Sequence, residues 1–318
     1  MLTAYNEQQE RVLAQHAEKA TCYFCPVCHE RMILKKGCRN IAHFAHPRQS
    51  THQGVGESAL HHRLKLRLFH MLSIQYPNVQ LEPYLSEIQQ IPDIVVGQYA
   101  IEIQLSAIPV QQMIKRTEGL AQVGYHVIWL SLLPKYRRGV YYFNQLQQAC
   151  IAPDRHVMYA IHPTNCRLYR LSNVMSITAR QFVADCARLD DTQLLTDYET
   201  DLPVVTTVRK LSTVRILQYL RHCRHKDTVH EPTLSIIYRM QLTETQVIQY
   251  TGYIFPEQIY VTTHPVLWQL KVFEALTYQR DPYTALQRCI KLRYFATGGV
   301  SRQQLIKQLV ERYKKILK

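Results

Sequence analysis

The chain has 318 residues, and 47% of them are hydrophobic, which allows two or three domains with sizeable cores. It carries 38 lysines and arginines against 24 aspartates and glutamates, a formal net charge of +14. Such an excess favours a polyanionic partner, of which nucleic acid is the commonest. The chain contains neither a run of ~18 apolar residues, as a membrane span needs, nor an apolar signal-peptide core at its polar N-terminus. We therefore expect a cytoplasmic protein without a membrane span.

Paired cysteines and histidines mark the first 52 residues. Cys25 and Cys28 lie in the motif CPVC, and His43 and His46 lie in HFAH. In a reducing compartment such close pairs bind metal more often than they form disulfides. Two thiolates and two imidazoles make a closed tetrahedral Zn²⁺ set, which leaves no open position for water. We predict an N-terminal zinc-binding module over residues 1–52, with a structural zinc ion.

The residues between the two pairs are predicted to form a β-hairpin that turns at Lys36 and Gly37. No recognition helix follows the ligands, which argues against a transcription regulator of the zinc-finger type. Three neighbouring residues are rival ligands that could replace one of the four: Cys22, His29 and Cys38.

The central zone, residues 53–150, is predicted to contain a helix, three strands, a second helix and a fourth strand. The first helix runs from Glu57 to about Leu72, with leucines four residues apart on one face. The strands cover residues 79–85, 91–96 and 100–105, and Gly97-Gln98 is a two-residue hairpin turn. The second helix runs from Pro109 to about Val123 and stops at Gly124, and the fourth strand starts at Tyr125.

Two carboxylates interrupt the apolar stretch IPDIVVGQYAIEIQLS at residues 91–106. With a two-residue turn at Gly97-Gln98, Asp93 lies directly opposite Glu102. Carboxylates that face each other across a ladder repel unless a cation joins them. A hard divalent ion such as Mg²⁺ prefers oxygen ligands and resolves the conflict.

Together with Glu57 on the preceding helix, this pattern resembles the PD-(D/E)xK nuclease superfamily. The resemblance implies an α/β (α+β) fold with a restriction-endonuclease-like αβββαβ core, and a Mg²⁺ or Mn²⁺ ion held by Glu57, Asp93 and Glu102. In that superfamily the residue two positions beyond the second acid is usually lysine. Here it is Gln104, which can orient water or phosphate but supplies no charge.

Other side chains are candidates for the missing positive charge or a proton relay. His61 and Lys65 follow Glu57 at one and two helical turns, on one stripe of the predicted helix. Lys115 and Arg116 on the next helix are further candidates. Two acids near the hairpin compete for a ligand role: Glu82 and Glu87.

Four segments together resemble the competence protein CoiA family, from about residue 20 to 131: CPVCHERMILKKG…HFAH, GESALHHRLK, IPDIVVGQYAIEIQLSAI and GYHVIWL. The resemblance implies a role in natural transformation of Gram-positive bacteria, after DNA entry, in processing or RecA-dependent recombination of the incoming strand. It assigns the zinc set to Cys25, Cys28, His43 and His46. It assigns the nuclease positions to Glu57, Asp93, Glu102 and Gln104.

Two functions remain open. The first is a metal-dependent deoxyribonuclease that acts on incoming, single-stranded transforming DNA. The second is a catalytically inactive, DNA-binding mediator that assists a RecA-type recombinase, which the glutamine at position 104 favours. A protein that only bound phosphates would gain nothing from acids at positions 93 and 102, so we favour the nuclease. Residues 151–318 are predicted to form a basic, mostly helical region whose helices could track phosphates, with some of the 21 tyrosines stacked on unpaired bases.

Overall fold

The computed structural model describes residues 1–37, 41–47, 57–201, 203, 205–225 and 230–318. The rival zinc ligand Cys38 and most of the predicted linker at 51–60 lie outside the described residues. The chain divides into two compact units. The first contains Met1–Leu133, Tyr159–Tyr169 and Arg188–Thr200, and the second contains Pro134–Met158, Arg170–Ala187 and Asp201–Lys318. The predicted N-terminal module and the αβββαβ core both belong to the first unit, and the predicted boundaries near residues 52 and 150 stay predictions.

The strands are β1 (Thr3–Tyr5), β2 (Arg11–Leu13), β3 (Tyr23–Phe24), β4 (Arg31–Lys35), β5 (His43–Ala45), β6 (Gln80–Leu81), β7 (Ile94–Val96), β8 (Tyr99–Ile103), β9 (His126–Leu132), β10 (Lys135–Arg137), β11 (Val140–Tyr142), β12 (Met158–Ile161), β13 (Leu168–Ser176), β14 (Gln181–Leu189), β15 (Arg209–Lys210) and β16 (Tyr253–Ile254). The α-helices are α1 (Ala59–Gln75), α2 (Val110–Gln122), α3 (Gln145–Ala149), α4 (Leu194–Glu199), α5 (Thr213–Arg224), α6 (Pro232–Arg239), α7 (Glu244–Tyr250), α8 (Pro265–Thr277), α9 (Pro282–Cys289) and α10 (Arg302–Leu317). Short 3-10 helices lie at Asp191–Gln193 and Pro256–Tyr260.

The N-terminal module is an antiparallel sheet in the order β2-β1-β3-β4-β5. Its core is small and includes Tyr23, Met32 and Phe44, with the rings of Tyr23 and Phe44 4.9 Å apart. The predicted hairpin of β4 and β5 is confirmed. A core of this size offers limited hydrophobic stabilisation, and a bound metal would supplement it.

The predicted order of helix, three strands, helix and strand is confirmed as α1, β6, β7, β8, α2 and β9. Within the first unit the sheet runs in the order β6-β7-β8-β9-β12. Strands β8 and β9 are parallel, so α2 serves as the crossover between them. All five residues of β8 are buried, because neighbouring strands and helices enclose this part of the sheet.

The predicted two-residue turn is also confirmed. Val96 pairs with Tyr99 across Gly97 and Gln98, and Gly97 has a φ of 54°, in the left-handed region that favours glycine. Extending this register by one pair beyond Ile94 and Ile101 brings position 93 opposite position 102. The backbone therefore places Asp93 and Glu102 opposite each other, as predicted.

Several predicted element ends are wrong. Strand β7 begins at Ile94 and not at residue 91, and β8 ends at Ile103 and not at residue 105. Helix α1 begins at Ala59, because the Ser58 side chain accepts a hydrogen bond from the His61 backbone N–H and caps the helix there. Glu57 thus precedes the helix. Strand β6 covers only Gln80–Leu81, because Glu82 adopts a left-handed φ of 51° and turns the chain out of the strand.

In the second unit a sheet in the order β10-β11-β14-β13 accompanies the helices from α5 to α10. Two segments, residues 140–151 and 158–172, could be strands or helices by sequence, and the structure forms strands there at β11, β12 and β13, with the short α3 between β11 and β12. The predicted mostly helical character therefore holds from about residue 205 onward and not for the whole of 151–318. Among the described helices, none is both long and apolar enough to cross a membrane.

One face of α1 is buried and packs in the core of the first unit. Leu68 is almost fully buried, whereas Ile74 on the same helix is 77% exposed. We expect Leu68→Ala to lower the free energy of unfolding by ~2–5 kcal/mol, because it removes methyl groups from a packed core and leaves a cavity. Ile74→Ala, the matched control, should change it by less than ~0.5 kcal/mol. Urea unfolding followed by circular dichroism measures both, and equal effects would contradict this packing.

Candidate active site

The candidate active site is built around Lys65, which lies on α1 and is only 1% exposed. A buried ammonium is costly unless anions surround it. Its Nζ donates to Glu57 Oε1 at 2.6 Å and to Glu82 Oε1 at 2.5 Å, and lies 3.4 Å from Asp93 Oδ1. Burial alone would lower the pKa of Lys65, but the carboxylates of Glu82, Asp93 and Glu57 raise it above its ordinary value. Three acids therefore share one permanently charged lysine.

Glu57 meets the first two turns of α1 although it precedes the helix. The Nε2 atom of His62 lies 2.9 Å from Glu57 Oε2, and the Nδ1 atom of His61 lies 3.8 Å from Glu57 Oε1. Burial alone would raise the pKa of Glu57, but His62 and Lys65 hold it well below its usual range. Glu57 is thus a stable anion whose side chain keeps some exposure to solvent.

Asp93 comes directly before β7 and is buried. Its Oδ2 atom accepts a hydrogen bond from the Ile103 backbone N–H at 2.8 Å and lies 3.2 Å from His61 Nε2. Burial alone would raise the pKa of Asp93, but Lys65 and His61 hold it below its usual value. The pKa of His61 is raised in turn, since the contact with Asp93 outweighs the effect of burial.

Glu82 joins this cluster to the N-terminal module. Its Oε2 atom accepts hydrogen bonds from the backbone N–H groups of Leu2 at 2.6 Å and Thr3 at 3.0 Å. Its Oε1 atom accepts from Lys65, so a single buried carboxylate contacts both the sheet of the module and the helix α1. The left-handed backbone at Glu82 directs the chain out of β6 at this position.

Glu102 does not join the group around Lys65 in the way the sequence predicted. Both of its oxygens accept from Arg116 Nη2, at 2.7 and 2.9 Å, and the same nitrogen donates to the Ile91 carbonyl at 3.0 Å. Burial raises the pKa of Glu102 to about 7, although Arg116 opposes the shift. Arg116 thus contacts both oxygens of Glu102, and the predicted pairing of Asp93 and Glu102 through one metal ion stays a prediction.

Gln104 lies beyond the end of β8, and its side-chain amide donates to the Ser106 carbonyl at 2.7 Å. It is not among the side chains around Lys65. Lys115 is exposed on α2, and Glu87 is exposed near the hairpin, so neither is brought to the cluster. Of the candidates for the missing positive charge, the structure brings His61 and Lys65 to Glu57 and Asp93, and Arg116 to Glu102.

Three groups of this cluster fit a divalent ion. One ligand atom each of Glu57, His61 and Asp93 lie within 4.8 Å of one another. Two ionised carboxylates and an imidazole are donors that suit Mg²⁺ or Mn²⁺, with the imidazole favouring Mn²⁺. The ligand set that the geometry supports therefore keeps Glu57 and Asp93 and exchanges Glu102 for His61.

A second candidate metal centre lies in the N-terminal module. The ligand atoms of Cys25, Cys28 and His46 lie within 4.8 Å of one another, and Cys28 Sγ is 3.4 Å from His46 Nε2. The Val27 backbone N–H donates to Cys25 Sγ at 3.4 Å, as expected in a CxxC knuckle. Two thiols and an imidazole fit zinc, because zinc binding deprotonates thiols and accepts both donor types.

His43, the predicted fourth ligand, lies elsewhere. Its Nδ1 atom is 2.8 Å from the Ile41 carbonyl, and its ring lies 4.8 Å from the ring of His62 on α1. Cys22 and His29 are outside the group of three as well. Among the described residues, three candidate zinc ligands thus lie together, and the ring of His43 lies instead beside the ring of His62 on α1.

Sequence analysis missed one residue of the cluster and underrated another. His62 is buried against Glu57, and the only signal for it is its position three residues before Lys65 on the same helical face. Glu82 was given only as a rival acid, and no local pattern indicates its hydrogen bonds to Leu2 and Thr3, which are distant in sequence.

Comparison with known proteins identifies the family of this chain. Residues 57–197 match the family model described as the nuclease-like domain of competence protein CoiA, and residues 5–53 match the model of its N-terminal domain. The chain is also 34% identical over 131 residues to the competence protein CoiA of Bacillus subtilis (strain 168).

That alignment covers 39% of this chain and 35% of the relative, so the two match over about a third of the relative's length. No solved structure matches the chain significantly. The two family models together cover more than half of the chain and include both candidate metal centres. On these grounds the chain belongs to the competence protein CoiA family and carries a nuclease-like domain.

Proposed function

We propose that the protein is a metal-dependent deoxyribonuclease that acts on incoming DNA during natural transformation. The observation that carries the proposal is the group of Glu57, His61 and Asp93 beside the buried Lys65. A cluster of ionised acids with one cation in a nuclease-like domain can support phosphodiester hydrolysis, because the acids can hold a metal ion that activates water and stabilises charge on the phosphate. Membership of the CoiA family supports the link to competence, and the net charge of +14 supports DNA as the substrate.

The side chains have separable roles in this proposal. Glu57, His61 and Asp93 would hold the divalent ion, which supplies an activated water and neutralises charge on the phosphate. Lys65 keeps Glu57 and Asp93 ionised and in place, and so compensates for the glutamine at position 104. Hydrolysis adds water across one P–O bond of the backbone, with one proton leaving the attacking water and one reaching the leaving oxygen.

The N-terminal module has a structural role in this proposal. Zinc held by Cys25, Cys28 and His46 would stabilise the small sheet. That sheet supplies the backbone N–H groups that bind Glu82, and Glu82 binds Lys65. The expected location is the cytoplasm, where incoming single strands meet a RecA-type recombinase, the partner that the family resemblance implies.

One observation favours a second candidate, a non-cleaving DNA-binding mediator of recombination. The Lys65 ammonium already neutralises part of the charge on Glu57, Glu82 and Asp93, and Arg116 neutralises Glu102. In a non-cleaving protein these ion pairs would stabilise the fold without any metal. The two functions differ in whether divalent metal produces cleavage.

The first test removes one carboxylate charge. Asp93→Asn keeps an oxygen that accepts from the Ile103 N–H but removes a metal ligand, so we expect at least a ~100-fold loss of Mg²⁺- or Mn²⁺-dependent cleavage of labelled single-stranded DNA. The matched control is Glu87→Gln, which removes the same charge from an exposed position and should cleave like the wild type. Cleavage by wild type that persists in EDTA, or an unchanged rate in folded Asp93→Asn, would contradict the nuclease site.

A second test compares the two positions that could hold the basic residue. We expect Lys65→Gln to lower the single-turnover cleavage rate by ~10²- to 10³-fold, the usual cost of removing one preorganised charge. Gln104→Ala should lower it by less than ~3-fold, because its amide contacts Ser106 and not the acids. Circular dichroism of both variants controls for folding. A severe loss in Gln104→Ala with a mild loss in Lys65→Gln would reverse the assignment.

A third test addresses the N-terminal module. Cys25→Ser should remove bound zinc, measured by atomic emission on purified protein, because it deletes one of the three clustered ligands. His43→Gln should retain zinc, since His43 lies against His62. Cys186→Ser, at an exposed cysteine, is the control for cysteine loss in general. Zinc lost in His43→Gln and kept in Cys25→Ser would mean that the ligand set is wrong.

A further inference from the structure

Strands β10 and β11 form an exposed hairpin in the second unit. The turn residues Arg138 and Gly139 both have left-handed φ values, 52° and 77°, which are the values of the type I′ turn that suits a two-residue hairpin. Strand β11 pairs with β14, so β10 is the outermost strand in the order β10-β11-β14-β13. Strand β11 is therefore held by hydrogen bonds to β14, whereas the outer edge of β10 pairs with no strand among the described residues.

The hairpin is positively charged. Lys135, Arg137 and Arg138 are exposed, and none of the three makes an ion pair or a side-chain hydrogen bond with any residue that the structure describes. The sequence contains no aspartate or glutamate between Glu118 and Asp154, so the surrounding segment adds no negative charge of its own. Three closely spaced cations without acidic partners form a site for an anion with repeated charges.

One acid on the neighbouring strand β14 lies beside the turn of the hairpin, because the register that pairs Tyr141 with Phe182 continues towards positions 138 and 185. Asp185 contributes, after burial and the contact with Cys186, to the raised pKa of Tyr141. Its Oδ2 atom accepts a hydrogen bond from Asn173 Nδ2 at 2.5 Å, and this neutral donor leaves the negative charge of Asp185 in place. Among the described residues Asp185 forms no ion pair with Lys135, Arg137 or Arg138, so it offsets one of their three charges without binding any of them.

Aromatic rings lie on the open edge of the hairpin beside the cations, but side chains alternate along β10, so Tyr136 occupies the face opposite to Lys135 and Arg137. Tyr136 is 61% exposed, and its ring lies 4.7 Å from the ring of Tyr141, which is buried and packs edge-on against Phe143 at 6.5 Å. The exposed ring of Tyr136 thus packs against the buried ring of Tyr141. Tyr142 is exposed as well, and its hydroxyl accepts from Gln181 Nε2 at 3.4 Å.

We propose that the β10–β11 hairpin binds single-stranded DNA along the open edge of β10, with its cations on the phosphates and Tyr136 stacked on an unpaired base that turns over the opposite face of that edge. A supported aromatic ring with one open face binds any base by stacking, and flanking cations follow the backbone, which gives tight and sequence-tolerant binding. Duplex DNA would use the cations but offers no unpaired base to the ring. The choice of DNA over RNA rests on the proposed function, whereas binding by the hairpin does not require cleavage.

The experiment is fluorescence anisotropy of a labelled oligothymidylate with the full chain, in EDTA so that no metal-dependent cleavage occurs. Tyr136→Ala should weaken binding by about fivefold or more, the cost of one lost base stack, and Tyr136→Phe should restore it. Tyr238→Ala is the matched control. It removes a tyrosine that is 85% exposed on α6 and should change the Kd by less than about twofold.

A triple variant tests the cations. Replacing Lys135, Arg137 and Arg138 by glutamine should reduce the slope of log Kd against log salt by about 2, since three phosphate contacts on a single strand contribute ~0.7 each. The comparison variant replaces three exposed lysines of the C-terminal helix region, Lys307, Lys315 and Lys318, and so removes the same charge. A smaller change in slope is expected there. If log Kd against log salt has the same slope in both triple variants, the hairpin cations are not the phosphate contacts and the proposal is overturned.

The outcomes separate this proposal from the nuclease. Wild-type binding by Tyr136→Ala would overturn the hairpin surface whether or not the wild type cleaves DNA. Weakened binding by Tyr136→Ala would support the surface even if no metal produces cleavage, and then the nuclease proposal alone would fail. Tighter binding of a matched oligouridylate or of the matched duplex than of oligothymidylate would overturn single-stranded DNA as the ligand.

Discussion

The candidate active site depends on the burial of one ammonium among three carboxylates. Lys65 is inaccessible to water, so the fold is stable only if Glu57, Glu82 and Asp93 stay ionised around it. The contacts of Lys65 with Glu57 and Asp93 fix the start of α1 relative to the β7–β8 hairpin. The charge of Lys65 also keeps these carboxylates ionised, whereas burial alone would favour their protonated forms. The same constraint brings together a candidate set of metal ligands, because Glu57 and Asp93 contact both Lys65 and His61.

The N-terminal module participates in this network and is not simply attached to it. Its first strand region donates two backbone hydrogen bonds to Glu82, and His43 packs on His62, which contacts Glu57. Residues of the N-terminal sheet therefore contact α1 or its partners at two places. If zinc stabilises this sheet as proposed, its effect extends to the candidate active site, since loss of the sheet would remove the partners that hold one of the carboxylates around Lys65.

The sequence was sufficient for the elements and for part of the site. The αβββαβ order, the Gly97-Gln98 turn and the register that opposes Asp93 and Glu102 follow from periodicity and turn chemistry, which are local. The pairing of Glu102 with Arg116 and the binding of Glu82 to the first strand are not local. They depend on which side chains the tertiary fold brings together, and a spacing pattern carries no information on that. The displacement of His43 from the zinc group has the same origin, because one strand alternates its side chains and cannot direct both histidines of HxxH to one point without a change in direction.

The proposed function depends on Glu57, His61 and Asp93 binding a divalent ion at the place where DNA is cleaved. The most direct measurement is a crystal structure with Mn²⁺ and a short single-stranded DNA in which non-bridging phosphorothioates slow hydrolysis. We expect anomalous density for Mn²⁺ at ~2.1–2.3 Å from one atom of each of the three residues, with a phosphate oxygen bound to the same ion. An ion-free cluster, with Lys65 still bridging Glu57 and Asp93 and DNA bound elsewhere, would contradict the nuclease and favour the mediator.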